Sequence, residues 1–216
     1  MAAFWLYTFP KSQWFAQIPE PKTSFENQTV IVTGSNTGLG FEAARHVARL
    51  GAAKVILACR TIAKGEAAAS IIVDSSAGAV ERSSIEVWEL DVSSFKSIKA
   101  FADRVQNLER LDAVIQNAGI MAANFTLVEE SGAENHLTTN VMGPIFLGLL
   151  LLPKLRDSAK KTKCRGRLTF VGSDLQYIAK LTELKTEGSL CDALNDPKIA
   201  NMADRQANGL LCTCLV

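Results

Sequence analysis

Histidine is scarce in this chain: two in 216 residues, His46 and His136. They lie far apart in sequence and without carboxylates at metal-ligand spacing, so no metal site is expected. Net charge is nearly absent, formally +1 from 23 Lys and Arg against 22 Asp and Glu. That balance provides no electrostatic footprint for nucleic acid or for an anionic membrane surface. Paired cysteines are missing. The five thiols, Cys59, Cys164, Cys191, Cys212 and Cys214, are scattered and odd in number, with no C-x-x-C pair. They read as reduced thiols of a cytoplasmic protein. Prenylation needs a cysteine fourth from the end, where Thr213 stands. No apolar run approaches the about 20 residues of a transmembrane span; the longest, 145–152, falls far short. Repeats and low-complexity tracts are absent. A secretory signal is not expected either, since no basic region precedes an apolar core and Pro10 and Lys11 break the first apolar stretch.

Aromatics crowd the N-terminus instead: Phe4, Trp5, Tyr7, Phe9, Trp14 and Phe15, followed by prolines up to Pro21. Residues 1–28 read as an extended arm packed on the domain. A peripheral membrane anchor or a flap over a substrate pocket stays open as an alternative. With 48% hydrophobic residues, the rest has ample material for one core. From Thr29 onward, short β-branched runs alternate with helical patterns. Strands are predicted at 30–33, 54–58, 85–90, 113–116 and 168–172, and helices at about 38–50, 61–73, 94–107 and 130–158. Ser93 or Ser94 is the N-cap of the third helix. Residues 174–204 read as an irregular connection. Strand–helix alternation with apolar strands predicts an α/β fold, a parallel sheet covered on both faces.

Such sheets bind ligands at the carboxyl ends of their strands. The first strand runs into Thr33-Gly34-Ser35-Asn36-Thr37-Gly38-Leu39-Gly40 and then an amphipathic helix. A glycine turn at a helix start brings backbone N–H groups close to a phosphate. The glycine spacing differs from G-x-G-x-x-G, and a plain Gly-rich turn is the alternative. The second strand ends at Arg60, with Lys64 a turn later. An acidic residue there would accept from a ribose 2′-hydroxyl, whereas a guanidinium pairs with a 2′-phosphate, which favours NADP over NAD. The third strand ends at Asp91, suited to an adenine amine or to a helix cap. The fourth ends at Asn117-Ala118-Gly119, small enough for close approach to a ribose or simply a turn. Four successive strand ends together point to a dinucleotide cradle.

In combination, T-G-x-x-x-G-x-G, Asp91-Val92 and Asn117-Ala118-Gly119 resemble the short-chain dehydrogenase/reductase family. The wording SNTGLG, ACRT and QNAG is similar to its fungal, retinol-dehydrogenase-like branch. The resemblance runs from about Thr29 to Arg205. It implies a doubly wound, Rossmann-like sheet with hydride transfer between NADP and a small-molecule carbonyl or alcohol, in fungal secondary metabolism. The strand order here would be 3-2-1-4-5, without the family's last strands. It also carries over two catalytic residues, Asn140 and Ser173. Pro144 has no N–H to bond back to residue 140, so a kinked helix with a free Asn140 carbonyl is expected to hold a relay water. Ser173 would donate to the substrate oxygen.

The family's Tyr-x-x-x-Lys has no counterpart. Tyr7 and Tyr177 are the only tyrosines, and Asp204-Arg205 is followed by Gln206-Ala207-Asn208. Tyr177 and Lys180 are three apart, not four, and too close to Ser173 to replace the pair. Residues 206–216 read as an atypical tail, from a shifted frame, an alternative splice or a mispredicted gene end. Two outcomes stay open: an enzyme by descent that turns over poorly, or an inactive nucleotide-binding or protein-interaction module. A homo-oligomer is compatible with either. The fifth strand is expected at an apolar edge, and the long helix around 147–155 to expose leucines.

Overall fold

The structure is a computed structural model that describes residues 9–17, 19–173, 180, 189–200 and 202. Tyr177, the tail 206–216 and residues 1–8 lie outside the described residues. A short helix α1 (Phe9–Trp14) precedes the α/β body. The body runs β1 (Thr29–Thr33), α2 (Gly38–Arg49), β2 (Lys54–Cys59), α3 (Ile62–Asp74), β3 (Ile85–Glu89), α4 (Phe95–Gln106) and β4 (Ala113–Gln116). A small hairpin follows, β5 (Leu127–Val128) with β6 (Ala133–Glu134), antiparallel. Next come a π-helical turn (Leu137–Met142), α5 (Gly143–Thr162), β7 (Arg167–Phe170) and α6 (Leu190–Asn195).

The sheet order is β3-β2-β1-β4-β7, and every pairing is parallel. This is the expected 3-2-1-4-5 arrangement, a Rossmann-like fold. Strand β1, Thr-Val-Ile-Val-Thr, is buried along its whole length because β-branched side chains suit a pleat covered on both faces. Alternation along the strand divides the core. Val30 and Val32 join Val55, Leu57, Ala44, Val47 and Ile72 under α2 and α3. Ile31 faces the other way, with Ile56, Trp88, Phe101, Leu147 and Leu151 under α4 and α5.

Two stitches fix the sheet in register. Asp112 Oδ2 accepts from the Thr29 N–H at 2.8 Å, and the Arg110 guanidinium grips the same carboxylate at 2.9 and 2.6 Å. The Leu111 N–H donates to Ser158 Oγ at 2.8 Å, tying α5 to the start of β4. The arm is anchored where it meets the body: the Phe25 N–H donates to the Leu50 carbonyl, and Glu26 bridges to Ala52.

Three expectations change. The helix predicted from residue 130 begins at the π-turn, and the hairpin β5–β6 occupies part of its predicted length. The segment predicted as irregular contains α6. The leucines of α5 are mostly covered: Leu147, Leu151 and Leu155 pack in the core and Leu149 is the exposed one. The helical stretch Leu137–Thr162 is long and apolar enough for a membrane by composition, yet this apolarity serves the core. Strand β7 is an edge among the described residues, with Arg167 and Thr169 exposed and Leu168 and Phe170 half-buried.

Candidate functional site

The glycine loop between β1 and α2 is built by contacts from outside itself. Gly34 and Gly38 take φ of 64° and 60°, the left-handed region that other residues enter at a cost. Gly40 is required for a different reason. A Cβ there would lie 2.4 Å from Asn117 Nδ2 and 2.5 Å from the Gly34 carbonyl oxygen. The unusual glycine spacing thus follows from packing between loop, helix and β4. Thr33 Oγ1 accepts from the N–H groups of Asn117 and Ala118 at 3.0 and 2.9 Å. In return Asn117 Nδ2 donates to the Thr33 carbonyl at 3.1 Å and to that of Gly34 at 3.4 Å. The Gly34 N–H donates to Ala58 at the end of β2, at 2.8 Å.

A cleft of about 360 Å³ opens over the strand ends, lined by Gly34, Asn36, Arg60, Asp91 and residues 117–119. Arg60 is exposed at its lip. Asp91 is not the cap of α4. It lines the cleft, and its Oδ1 accepts from the Ser93 N–H at 2.9 Å and the Ser93 hydroxyl at 2.6 Å. The N-cap of α4 is Ser94, whose Oγ accepts from the Ser97 N–H. Beside Arg60, burial pushes the Cys59 thiol above its ordinary pKa.

A second cleft of about 280 Å³ shares residues 117–120 with the first and adds Leu39, Asn140, Pro144, Phe170 and Gly172. Its wall ends one residue short of Ser173, which is half-buried just after β7. Asn140 lies in the π-turn, and Pro144 follows in the first turn of α5. The expected kink is therefore a π-helical turn: the ring removes the bond back to residue 140, and the backbone widens to accommodate it. The Asn140 side chain clamps Ile120, accepting from its N–H at 2.8 Å and donating to its carbonyl at 3.0 Å.

The structure thus gathers Gly34, Asn36, Leu39, Arg60, Asp91, Asn117, Ala118, Gly119 and Asn140 around two joined clefts. Gly38 and Gly40 shape the loop without lining it. Lys64 lies exposed on α3, outside both linings, and Ser35 is fully buried, its Oγ without a hydrogen-bond partner among the described residues. Sequence reasoning placed Thr33 in the loop motif without a role for its hydroxyl, and it missed Asn135 and Thr139, which line the first cleft. It read His136 only for carboxylates at metal-ligand spacing and did not consider Glu134. In fact Nδ1 of His136 lies 2.8 Å from Glu134 Oε1, both side chains fully buried. Glu134 ends β6 and His136 is already helical, so the carboxylate caps the helix start, accepting from the N–H groups of His136 and Leu137.

The short chain dehydrogenase family profile matches residues 28–178. The chain is 41% identical over 198 residues to the short-chain dehydrogenase anuD of Penicillium roqueforti (strain FM164), covering 92% of this chain and 50% of that protein. It is 38% identical over 203 residues to the short chain dehydrogenase atnD of Emericella nidulans, covering 93% and 62%. A solved Escherichia coli CFT073 protein, assigned as a short chain dehydrogenase and complexed with NADPH, superposes with a TM-score of 0.58 at 26% identity, over 87% of this chain and 70% of that one. The chain spans between 50% and 62% of the length of the two fungal relatives. With the family profile covering well over half of its residues, and the sheet order of a doubly wound fold beneath it, the chain belongs to the short-chain dehydrogenase family.

Proposed function

We propose that this chain holds NADP in the joined clefts and belongs to an oxidoreductase that passes a hydride between NADPH and a carbonyl or alcohol. The observation that carries the cofactor choice is Arg60 at the lip of the first cleft, at the end of β2, where an acidic residue would serve NAD. The residues fit a dinucleotide. Gly34 and Gly40 let the loop pack directly on residues 117–118, which shapes the cleft rim, and the first N–H groups of α2 suit a pyrophosphate. Arg60 pairs with the 2′-phosphate, Asp91 accepts from the adenine amine, and residues 117–119 approach a ribose. When bound, the nicotinamide supplies or accepts the hydride. Ser173 donates a hydrogen bond to the substrate oxygen, and Asn140 orders the relay beside it. The fungal relatives and the NADPH-bound neighbour support the reaction class and the nicotinamide cofactor, and a place in fungal secondary metabolism is proposed with them.

A second reading is favoured by the residues after Arg205. The sequence after Ser173 contains no Tyr-x-x-x-Lys, and Tyr7-x-x-x-Lys11 precedes the glycine loop rather than following the fifth strand; loss of a positioned acid lowers rates by about 10²–10⁴-fold. The chain by itself is then a nucleotide-binding module with little turnover. Two measurements test the proposal. Fluorescence titration is expected to give tighter binding of NADPH than NADH, with Arg60→Asp weakening NADPH selectively. Equal loss for both nucleotides refutes the NADP assignment. An NADPH-oxidation assay over a carbonyl panel separates the two readings: turnover within tenfold of a full-length relative removes the second.

A further inference from the structure

The geometry points to His136 as a positioning residue for the nucleotide cleft, acting through the backbone of Ala122; this rests on the NADP-binding reading above. The two clefts share a floor, residues 117–120, and this loop continues through Met121 to Ala122. Three attachments hold it. Thr33 takes the N–H groups of Asn117 and Ala118, Asn140 clamps Ile120, and His136 Nε2 lies 3.0 Å from the Ala122 nitrogen. The first two belong to residues already assigned to the site. The third comes from a side chain that touches neither cleft.

The chemistry of the third attachment is fixed. A backbone N–H can only donate, so Nε2 must be the bare, accepting nitrogen of the ring. The ring proton then sits on Nδ1 and is donated to Glu134 Oε1 at 2.8 Å. Glu134 Oε2 accepts from the N–H groups of His136 at 3.0 Å and Leu137 at 3.2 Å. Burial pushes the Glu134 carboxyl up, but the bonds from the His136 ring and from these two backbone groups hold it below its ordinary value. A carboxylate therefore selects the tautomer, and the tautomer presents the acceptor that the loop needs. Burying such a pair is costly unless every polar atom is satisfied, and packing alone would be served by a leucine. The Glu134 N–H also donates to Asn195 Oδ1 at 2.8 Å, which ties the hairpin to α6.

Two substitutions divide the two jobs of the ring. H136N keeps a donor in the place of Nδ1 and removes the acceptor facing Ala122. H136Q puts an oxygen in the place of Nε2 and removes the donor facing Glu134. In the full 216-residue chain, NADPH affinity, exchange protection of the Ala122 amide and melting temperature are measured together. H136N is expected to lose about tenfold in NADPH affinity, the scale of one hydrogen bond, and its Ala122 protection. H136Q is expected to stay within about threefold and keep the protection, while melting at least as low. Ala122→Pro removes the donor and leaves the buried pair intact, so it copies H136N and carries the test should H136N not fold. Affinity losses that simply follow melting temperature, with H136Q at least as impaired, overturn the assignment, as do unchanged affinities throughout. Wild type that binds NADPH with variants that fail to divide refutes this inference alone; wild type that binds none refutes the underlying reading with it.

Discussion

Gly40→Ala is the sharpest probe of the cradle, because its effect can be worked from contacts. The added Cβ would sit 2.4 Å from Asn117 Nδ2 and 2.5 Å from the Gly34 carbonyl oxygen, roughly an ångström inside ordinary contact. Neither neighbour is a loose chain end. One is the amide that laces β4 to β1, and the other is backbone of the phosphate loop. Overpacking of this kind costs about 1–3 kcal/mol, and a displaced Asn117 gives up hydrogen bonding of about 1 kcal/mol. Alanine returns at most about 1 kcal/mol of helix propensity. The net destabilisation is about 1–3 kcal/mol, a fall in melting temperature of roughly 4–8 °C at the midpoint for a chain of this size. Circular dichroism melts read the stability, and NADPH titration is expected to show at least tenfold weaker binding. Gly38→Ala is the control: nothing lies within 4 Å of its Cβ, so it pays only the left-handed backbone, about 1 kcal/mol. A Gly40→Ala protein that melts within 1 °C of wild type by order of magnitude and binds NADPH within about twofold would falsify the packing argument.

Ser35→Ala is expected to leave stability unchanged or raise it by up to about 1 kcal/mol, since it deletes a fully buried hydroxyl that has no partner among the described residues; a clear loss in the urea midpoint contradicts this. Asp112→Ala strands the Thr29 N–H and the Arg110 guanidinium and should cost about 2–4 kcal/mol by urea titration. A cost under about 0.5 kcal/mol, the range of a neutral surface change, rules out the stitch. Glu134 and Glu86 both titrate below the ordinary carboxylate value, each pushed up by burial but held down more strongly, Glu86 by Lys54 and the Trp88 indole. A lowered folded pKa contributes stability above the unfolded value, about 4.3, and that stability is lost as pH falls through the folded value. Urea midpoints should therefore drop below about pH 5, and Glu134→Gln should flatten this acid limb; an unaltered slope contradicts it.

The sheet was readable because its strands are β-branched runs with little competing pattern. The boundaries of β1 to β4 lie within a residue or so of those expected. The loop, Arg60, Asp91 and Asn117 were readable for a different reason, since a parallel sheet collects its strand ends on one rim. The hairpin β5–β6 was not, because two-residue strands carry no periodicity and the apolar spacing of Leu137 and Val141 resembles a helix already under way. Glu134 and His136 escaped notice in the same stretch, as their contact depends on a helix starting right after Glu134, and the helix was expected to begin at 130. Lys64 follows Arg60 by one helical turn, yet α3 turns it to solvent. Ser35 sits inside the phosphate motif, but its hydroxyl is turned inward, a direction that composition cannot give.

The lacing of Thr33 to Asn117 joins groups 84 residues apart. The glycine loop looks like a local motif, but its shape is set by a strand that is synthesised much later. Closing so long a loop carries an entropic cost that local contacts cannot offset. A nascent chain that has made β1, α2 and β2 therefore has the motif's letters without its geometry. Nucleotide affinity should emerge in one step during folding, when β4 docks beside β1, and peptides ending before Asn117 should bind none.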